Sequence, residues 1–271
     1  MEKLLFKVAL AAYFFSAVGY ITSILVKRVF IAKTSTWVLL TAFAIHSLSI
    51  IVRWVGTGYS PVTNIFESLS FIAWAISGSY VAFQLKTKTR VLGAFVSPLA
   101  FLLMMVASVK LVDNVSMPAI LQGYWVPFHI ILSLVGEALF ALACLAGVMY
   151  LIQDNLIKKK KSYRFTRLLP PLRDLDKINH VSLLWGFPLM TLGVIAGSIW
   201  ARTVWGSHWQ WDPKQIWTMI SWFLYAFLLH QRLAIGWKGR KAAVFSILAF
   251  SILLFTVIGV NIFFLSVHNF M

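Results

Sequence analysis

Eight apolar stretches, each close to the length of a membrane crossing, constrain this sequence more than any other feature. They fall at about 4–26, 36–55, 65–85, 91–109, 127–152, 180–201, 215–235 and 242–267. A helix rises 1.5 Å per residue, so about 20 apolar residues span the ~30 Å hydrocarbon core. Lipid offers no water to satisfy backbone N–H and C=O groups, so such stretches must be helical. Composition agrees: 60% of residues are hydrophobic and 12% charged, against roughly 45–50% and about 25% in soluble domains. The fold class is all-α, a polytopic integral membrane protein with about eight transmembrane helices. No linker composition or internal repeat interrupts the chain, so residues 1–271 read as a single transmembrane domain. The first stretch follows Met1-Glu2-Lys3 and lacks a small-residue cleavage site, so it reads as a retained helix.

The net charge of +16 would suggest nucleic acid in a soluble protein. Here the basic residues alternate with the spans. Lys27, Arg28 and Lys33 follow the first; Lys86, Lys88 and Arg90 follow the third. A run from Lys158 to Lys177 follows the fifth, and Arg232, Lys238, Arg240 and Lys241 surround the gap after the seventh. Cytoplasmic loops are enriched in Lys and Arg, so these gaps face the cytoplasm and both termini are exoplasmic. Nucleic acid is not needed as a partner; the lipid bilayer is. The one cysteine, Cys144, excludes an internal disulfide, a CxxC pair and a thiolate zinc cluster.

Between the sixth and seventh spans lies a polar interruption, residues 200–217, with five of the twelve tryptophans. An interfacial aromatic belt would place one or two there. Trp205, Trp209 and Trp211, mixed with Arg202, Gly206, His208 and Asp212, read as a surface for a flat aromatic ligand. Asp212-Pro213 reads as an N-cap followed by proline at the first helical position. The charge pattern sets this loop on the exoplasmic side. It sets His129, His268 and the turn-rich segment 56–64 there too.

Ionisable groups within a bilayer are costly. His129 and His268, each taken alone, read as interfacial histidines. Together on the side of the tryptophan loop, they form a pair able to ligate haem iron from both faces of the macrocycle. His46 and His230 lie deeper, as a helix–helix hydrogen bond or a second bis-histidine pair. His180 reads as a capping or interfacial residue, and His208 as a ligand-facing or solvent-facing one. Glu67 sits in the first turn of the third span with Asn64 as its cap. Arg53, Arg202 and Lys214 are exoplasmic cations that can balance carboxylates or snorkel. Glu137, in the middle of the fifth span, has no evident partner.

The segment Trp205-Gly-Ser-His-Trp209-Gln-Trp211-Asp212-Pro213-Lys214-Gln215 resembles the WWD motif of the haem-handling proteins of cytochrome c maturation. The branch it resembles is the CcsA/ResC component of the system II cytochrome c synthase. Gly58 to Leu69, Gly186 to Gly193 and Trp222 to His230 are similar to the same branch, and the likeness spans roughly residues 40–271. Gln215 stands where some relatives carry Glu.

The resemblance implies haem b as substrate and bound ligand. It implies an outer site of the WWD surface with His129 and His268, and an inner one with His230 and His46. It implies a CcsB/ResB-type membrane partner, because the chain lacks the large soluble region of fused synthases. It also implies an apocytochrome c bringing a CxxCH segment, and a place in a bacterial plasma membrane or thylakoid equivalent. The activity expected is that of a holocytochrome c synthase subunit, forming thioethers by positioning haem, with no catalytic nucleophile of its own. The alternative is a non-catalytic, regulatory haem-binding protein of the HemX type. A solute transporter would need broken helices and mid-membrane charges that the sequence supplies sparingly.

Overall fold

The computed structural model describes residues 1–26, 28–62, 64–87, 90–109, 123–159 and 169–264. Among them, eight long helices follow one another: α1 Glu2–Val26, α2 Val29–Thr57, α3 Ile65–Thr87, α4 Gly93–Ser108, α5 Trp125–Lys158, α6 Leu172–Trp205, α7 Pro213–Leu233 and α8 Arg240–Leu254. A single 3₁₀ turn, Arg90–Leu92, leads into α4. A π-helical turn, Phe255–Gly259, and a last turn, Val260–Phe263, extend α8. The described residues contain no strand. Seven of the helices are long and apolar enough to cross a membrane, and the protein is an integral membrane protein. The eighth, α7, is interrupted by polar side chains, including Lys214, Gln215, His230 and Arg232.

Several helices outrun the apolar stretches that announce them. α6 begins at Leu172 and continues to Trp205, well beyond 180–201. Charged residues propagate an established helix readily, because each added residue gains a hydrogen bond without a new nucleation cost. His180 therefore sits inside α6 rather than at its cap, a correction to the sequence reading.

Contacts divide the chain into two compact units. One holds residues 1–117 and 156–174, the other residues 118–155 and 175–271. In the first unit, α1 packs along α2, and α4 packs against α1 and α3. Polar side chains tie the helices of this unit together. Ser97 donates to Ser16 at 2.9 Å, Tyr80 to Tyr20 at 3.2 Å, and Trp74 Nε1 to Ser47 at 2.7 Å. Helix association in lipid lacks the hydrophobic drive of water, so close packing and such bonds carry it. α2 ends where Gly58 takes the left-handed conformation (φ 75°) and its N–H bonds the Trp54 carbonyl at 2.9 Å. α3 starts as its sequence suggests, with the Glu67 N–H donating to Asn64 Oδ1 at 2.9 Å.

In the second unit, Phe140 and Ala143 of α5, Leu183 and Met190 of α6, Tyr225 and Leu228 of α7, and Ala249 and Leu253 of α8 form one buried cluster. α5 and α6 approach through glycines. A Cβ on Gly136 would lie 3.0 Å from the Met190 nitrogen, and one on Gly186 would lie 2.8 Å from the Phe140 ring. At one end of this unit Arg232 is buried and held by three side chains. It donates to Asp176 Oδ1 at 3.0 Å, Asn179 Oδ1 at 2.9 Å and His180 Nδ1 at 3.2 Å. At the other end is the tryptophan loop.

Candidate functional site

His129 stands in the second turn of α5. Its Nδ1 lies 2.8 Å from the Gly193 carbonyl oxygen on α6. A carbonyl can only accept, so Nδ1 carries the hydrogen and Nε2 keeps its lone pair. This is the arrangement of metal-binding histidines, whose second nitrogen is held by a carbonyl or carboxylate. The ring stacks on Trp200 with centroids 6.3 Å apart and an interplanar angle of 17°. Gly197 lies against its edge: a Cβ there would come within 2.6 Å of Nδ1. Trp200 is itself buried and meets Trp205 edge-on at 5.1 Å.

The loop that follows is tightly ordered. α6 ends at Trp205, and Gly206 turns the chain with φ 75° while its N–H bonds the Arg202 carbonyl. His208 Nδ1 donates to the Ser198 carbonyl at 3.1 Å, and its Nε2 faces an Arg202 guanidinium nitrogen at 3.4 Å. Gln210 N–H bonds Gln215 Oε1 at 2.8 Å, tying the loop to α7. The Asp212 carboxylate accepts the Lys214 N–H at 3.0 Å, with Pro213 at the first helical position. The Asp-Pro pair is thus the helix start that the sequence predicts.

Two loop tryptophans are unlike core residues. Trp211 takes a positive φ, 53°, and leaves 77% of its surface exposed. A bulky residue in the left-handed region carries strain of about 1–3 kcal/mol. Trp209, 5.8 Å away and edge-on to it, buries an Nε1–H that has no hydrogen-bond partner among the described residues. A buried orphan donor costs about 1–3 kcal/mol and calls for a specific explanation. An imidazole with a free Nε2, exposed and edge-on indoles, and two nearby cations suit a flat aromatic metal complex with an anionic edge.

The other sequence candidates fall elsewhere. His268 lies outside the described residues. His46, in the first unit, is fully buried; Nε2 is 2.9 Å from Ser70 Oγ and Nδ1 3.4 Å from Tyr13 Oη. Service as an iron ligand would require Nε2 to exchange Ser70 for the metal. Glu67, also in the first unit, pairs with Arg53, which pairs with Glu2 as well. His230 is exposed on α7, 18 residues from Asp212, or about 27 Å along the helix. Glu137 is half-buried on the α5 face that carries His129 two turns earlier. Lys214 lies within electrostatic reach of both. Sequence reasoning missed Gly197, and it placed Gly193 and Trp200 within motifs without giving them a role beside His129. Their signal was the helical spacing of two glycines leading to a tryptophan on α6.

Residues 62–268 match the cytochrome C assembly protein family. The chain belongs to that family. The match spans the loop, His46's partner Ser70 and every α5 to α8 residue of the site, so this cytochrome c assembly protein carries the site within its family region. The chain is 30% identical over 251 residues to a cytochrome c biogenesis protein CcsA of Guillardia theta, covering 85% of this chain and 83% of that one. It is also 30% identical over 265 residues to a CcsA of Prochlorococcus marinus subsp. pastoris, covering 88% and 84%. The solved cytochrome c haem lyase CcmF shares the fold, with a TM-score of 0.67 over 94% of this chain at 14% identity. The chain spans 46% of that larger protein.

Proposed function

We propose that this cytochrome c assembly protein carries haem b across the membrane. On the exoplasmic side it holds the haem for covalent attachment to the thiols of an apocytochrome c CxxCH segment. A CcsB/ResB-type membrane partner completes the machinery. The observation that carries this reading is the His129 ring, with Nδ1–H committed to the Gly193 carbonyl at 2.8 Å and Nε2 left for a metal.

In this reading all eight helices cross the membrane, both termini are exoplasmic, and residues 1–271 act as one haem-handling domain. His129 and His268 are the axial ligands of the outer site. Trp205, Trp209 and Trp211 line it, and the orphan Trp209 N–H and the Arg202 guanidinium meet the anionic edge of the haem. Asp212 fixes the loop by starting α7. His46 and His230 hold haem at the inner site. Each thiol then adds across a vinyl group: a C–S bond forms, the thiol proton ends on the other vinyl carbon, and nothing is oxidised. The protein contributes position, which for well-oriented reactants is worth about 7–11 kcal/mol of barrier.

The test is the absorption spectrum of the protein purified in detergent. The wild type should carry a Soret band that is lost on combined replacement of His129 and His268 by alanine. A wild type without the band, or a band indifferent to both replacements, would overturn the outer site.

A further inference from the structure

Two charged residues of the second unit, Glu137 in the middle of α5 and Lys214 in the first turn of α7, take no part in the haem-holding geometry described above. Both are half-buried. The register of their helices brings them together. His129, near the start of α5, meets α6 near its end, and α7 begins just beyond that end, so α5 and α7 run the same way. Phe140 of α5 stacks flat on Tyr225 of α7, with ring centroids 3.6 Å apart and an interplanar angle of 6°. His129 precedes Phe140 by 11 residues, and Lys214 precedes Tyr225 by 11. The backbones of His129 and Lys214 therefore lie at about the same level. Glu137 lies deeper, close to the stacked pair.

The charges follow the same order. Lys214 interacts with His129 and Asp212 at its own level and with Glu137 below. The Tyr225 hydroxyl lies within electrostatic reach of Glu137, yet it is buried without a hydrogen-bond partner among the described residues, so it does not donate to the carboxylate. The charge that answers Glu137 is that of Lys214. An ionisable group inside a bilayer is costly and marks function more often than fold. An ion pair in such surroundings is often no more stabilising than apolar side chains of the same volume, so stability does not account for this one. What the pair supplies is a fixed field. Its positive end starts level with His129, and its negative end lies eight residues, about 12 Å, farther along α5.

We infer that Glu137 and Lys214 set the reduction potential of the iron held by His129, Lys214 favouring the ferrous state and Glu137 the ferric. This rests on the reading of His129 as an axial ligand of the outer site. Reduction passes one electron to ferric iron from an external one-electron donor, breaks no bond, and removes one positive charge from the iron. A nearby cation therefore favours the reduced state and a nearby carboxylate the oxidised one. Lys214 is the nearer of the two, so the pair as a whole leans toward ferrous iron, and Glu137 tempers that lean. Both are positioning residues that act by charge at a distance.

The experiment is a redox titration of the full-length haem-loaded protein in detergent, with dithionite and ferricyanide, followed by absorption at one pH. The component read is the one that His129→Ala lacks. Glu137→Gln should raise its midpoint: one charge at about 12 Å, with an effective dielectric constant of about 20, is worth about a tenfold change in the ferric-to-ferrous ratio, or ~59 mV. Lys214→Met should lower the midpoint, and the double variant should fall between the two. A pair that serves the fold alone would cost haem content in both single variants without moving the midpoint in opposite directions. A midpoint that Glu137→Gln leaves unmoved or lowers, or that Lys214→Met fails to lower, overturns the inference while the outer site stands. A wild-type titration with no component dependent on His129 overturns the outer site as well.

Discussion

The bond from His129 Nδ1–H to the Gly193 carbonyl, 2.8 Å long, joins α5 to α6 and sets the tautomer of the imidazole. Gly197, one turn along α6, leaves room for the ring, since a Cβ there would meet Nδ1 at 2.6 Å. That contact is with a ring held on both sides, so it cannot be relieved by a flexible side-chain end. Gly197→Ala should therefore behave as a ligand variant without touching the ligand. We expect haem content of the purified protein to fall several-fold, toward that of His129→Ala, with helix content by circular dichroism unchanged. Undiminished haem in Gly197→Ala would separate this glycine from the site.

Trp209 gives a sharper test, because binding and stability should move in opposite directions. Its Nε1–H is buried without a partner among the described residues. Trp209→Phe keeps an aromatic ring and removes the orphan donor, so the ligand-free protein should lose nothing and gain up to about 1 kcal/mol. Haem retention should drop, because the donor no longer meets the ligand. Thermal aggregation in detergent, measured with and without bound haem, reads both quantities. A ligand-free Trp209→Phe protein that melts markedly lower would mean that the indole is structural.

Much of this arrangement is legible in the sequence, and what is not has physical reasons. The spacing of apolar stretches foretells the helices because the bilayer fixes their length. Asp212-Pro213 and Asn64 to Glu67 foretell two helix starts because caps are local chemistry. The extent of α6 back to Leu172 is not legible, since charged residues extend a helix without an apolar signature. Nor is the Glu137 environment, because Lys214 is 77 residues away in the chain. The two bonds of His46, to Ser70 and Tyr13, need three helices to be brought together first. The density of tryptophan in 200–217 marks the loop, but only its backbone shows Trp211 held at positive φ.

Asp212 has two claims on it, one as a motif residue and one as the N-cap of α7, and they are separable. Its carboxylate accepts the Lys214 N–H at 3.0 Å and it is 5% exposed. Asn caps about as well as Asp, whereas Ala loses about 1 kcal/mol. Asp212→Asn should match the wild type in melting temperature and in haem content if capping is its whole role. Asp212→Ala should lower both. A normal melting temperature with lost haem in Asp212→Asn would instead assign the charge itself to the ligand.

Arg232 offers a test of architecture apart from haem. It is 7% exposed and donates to Asp176 Oδ1, Asn179 Oδ1 and His180 Nδ1, while Asp176 Oδ1 also accepts the Gly239 N–H at 2.9 Å. The guanidinium thus links α7 to α6, and Asp176 links both to the turn before α8. Arg232 is buried, but the Asp176 side chain is 21% exposed, so stranding it costs less than the about 3–5 kcal/mol of a fully buried pair. Arg232→Met should destabilise by an amount below that range, and Arg232→Lys should recover only part, because an ammonium lacks the planar fork that reaches three acceptors. Arg232→Met combined with Asp176→Ala should cost less than the two single changes summed, since the stranded carboxylate is gone. Melting temperatures of the four proteins in one detergent measure this coupling, and strict additivity would show that the two residues act independently.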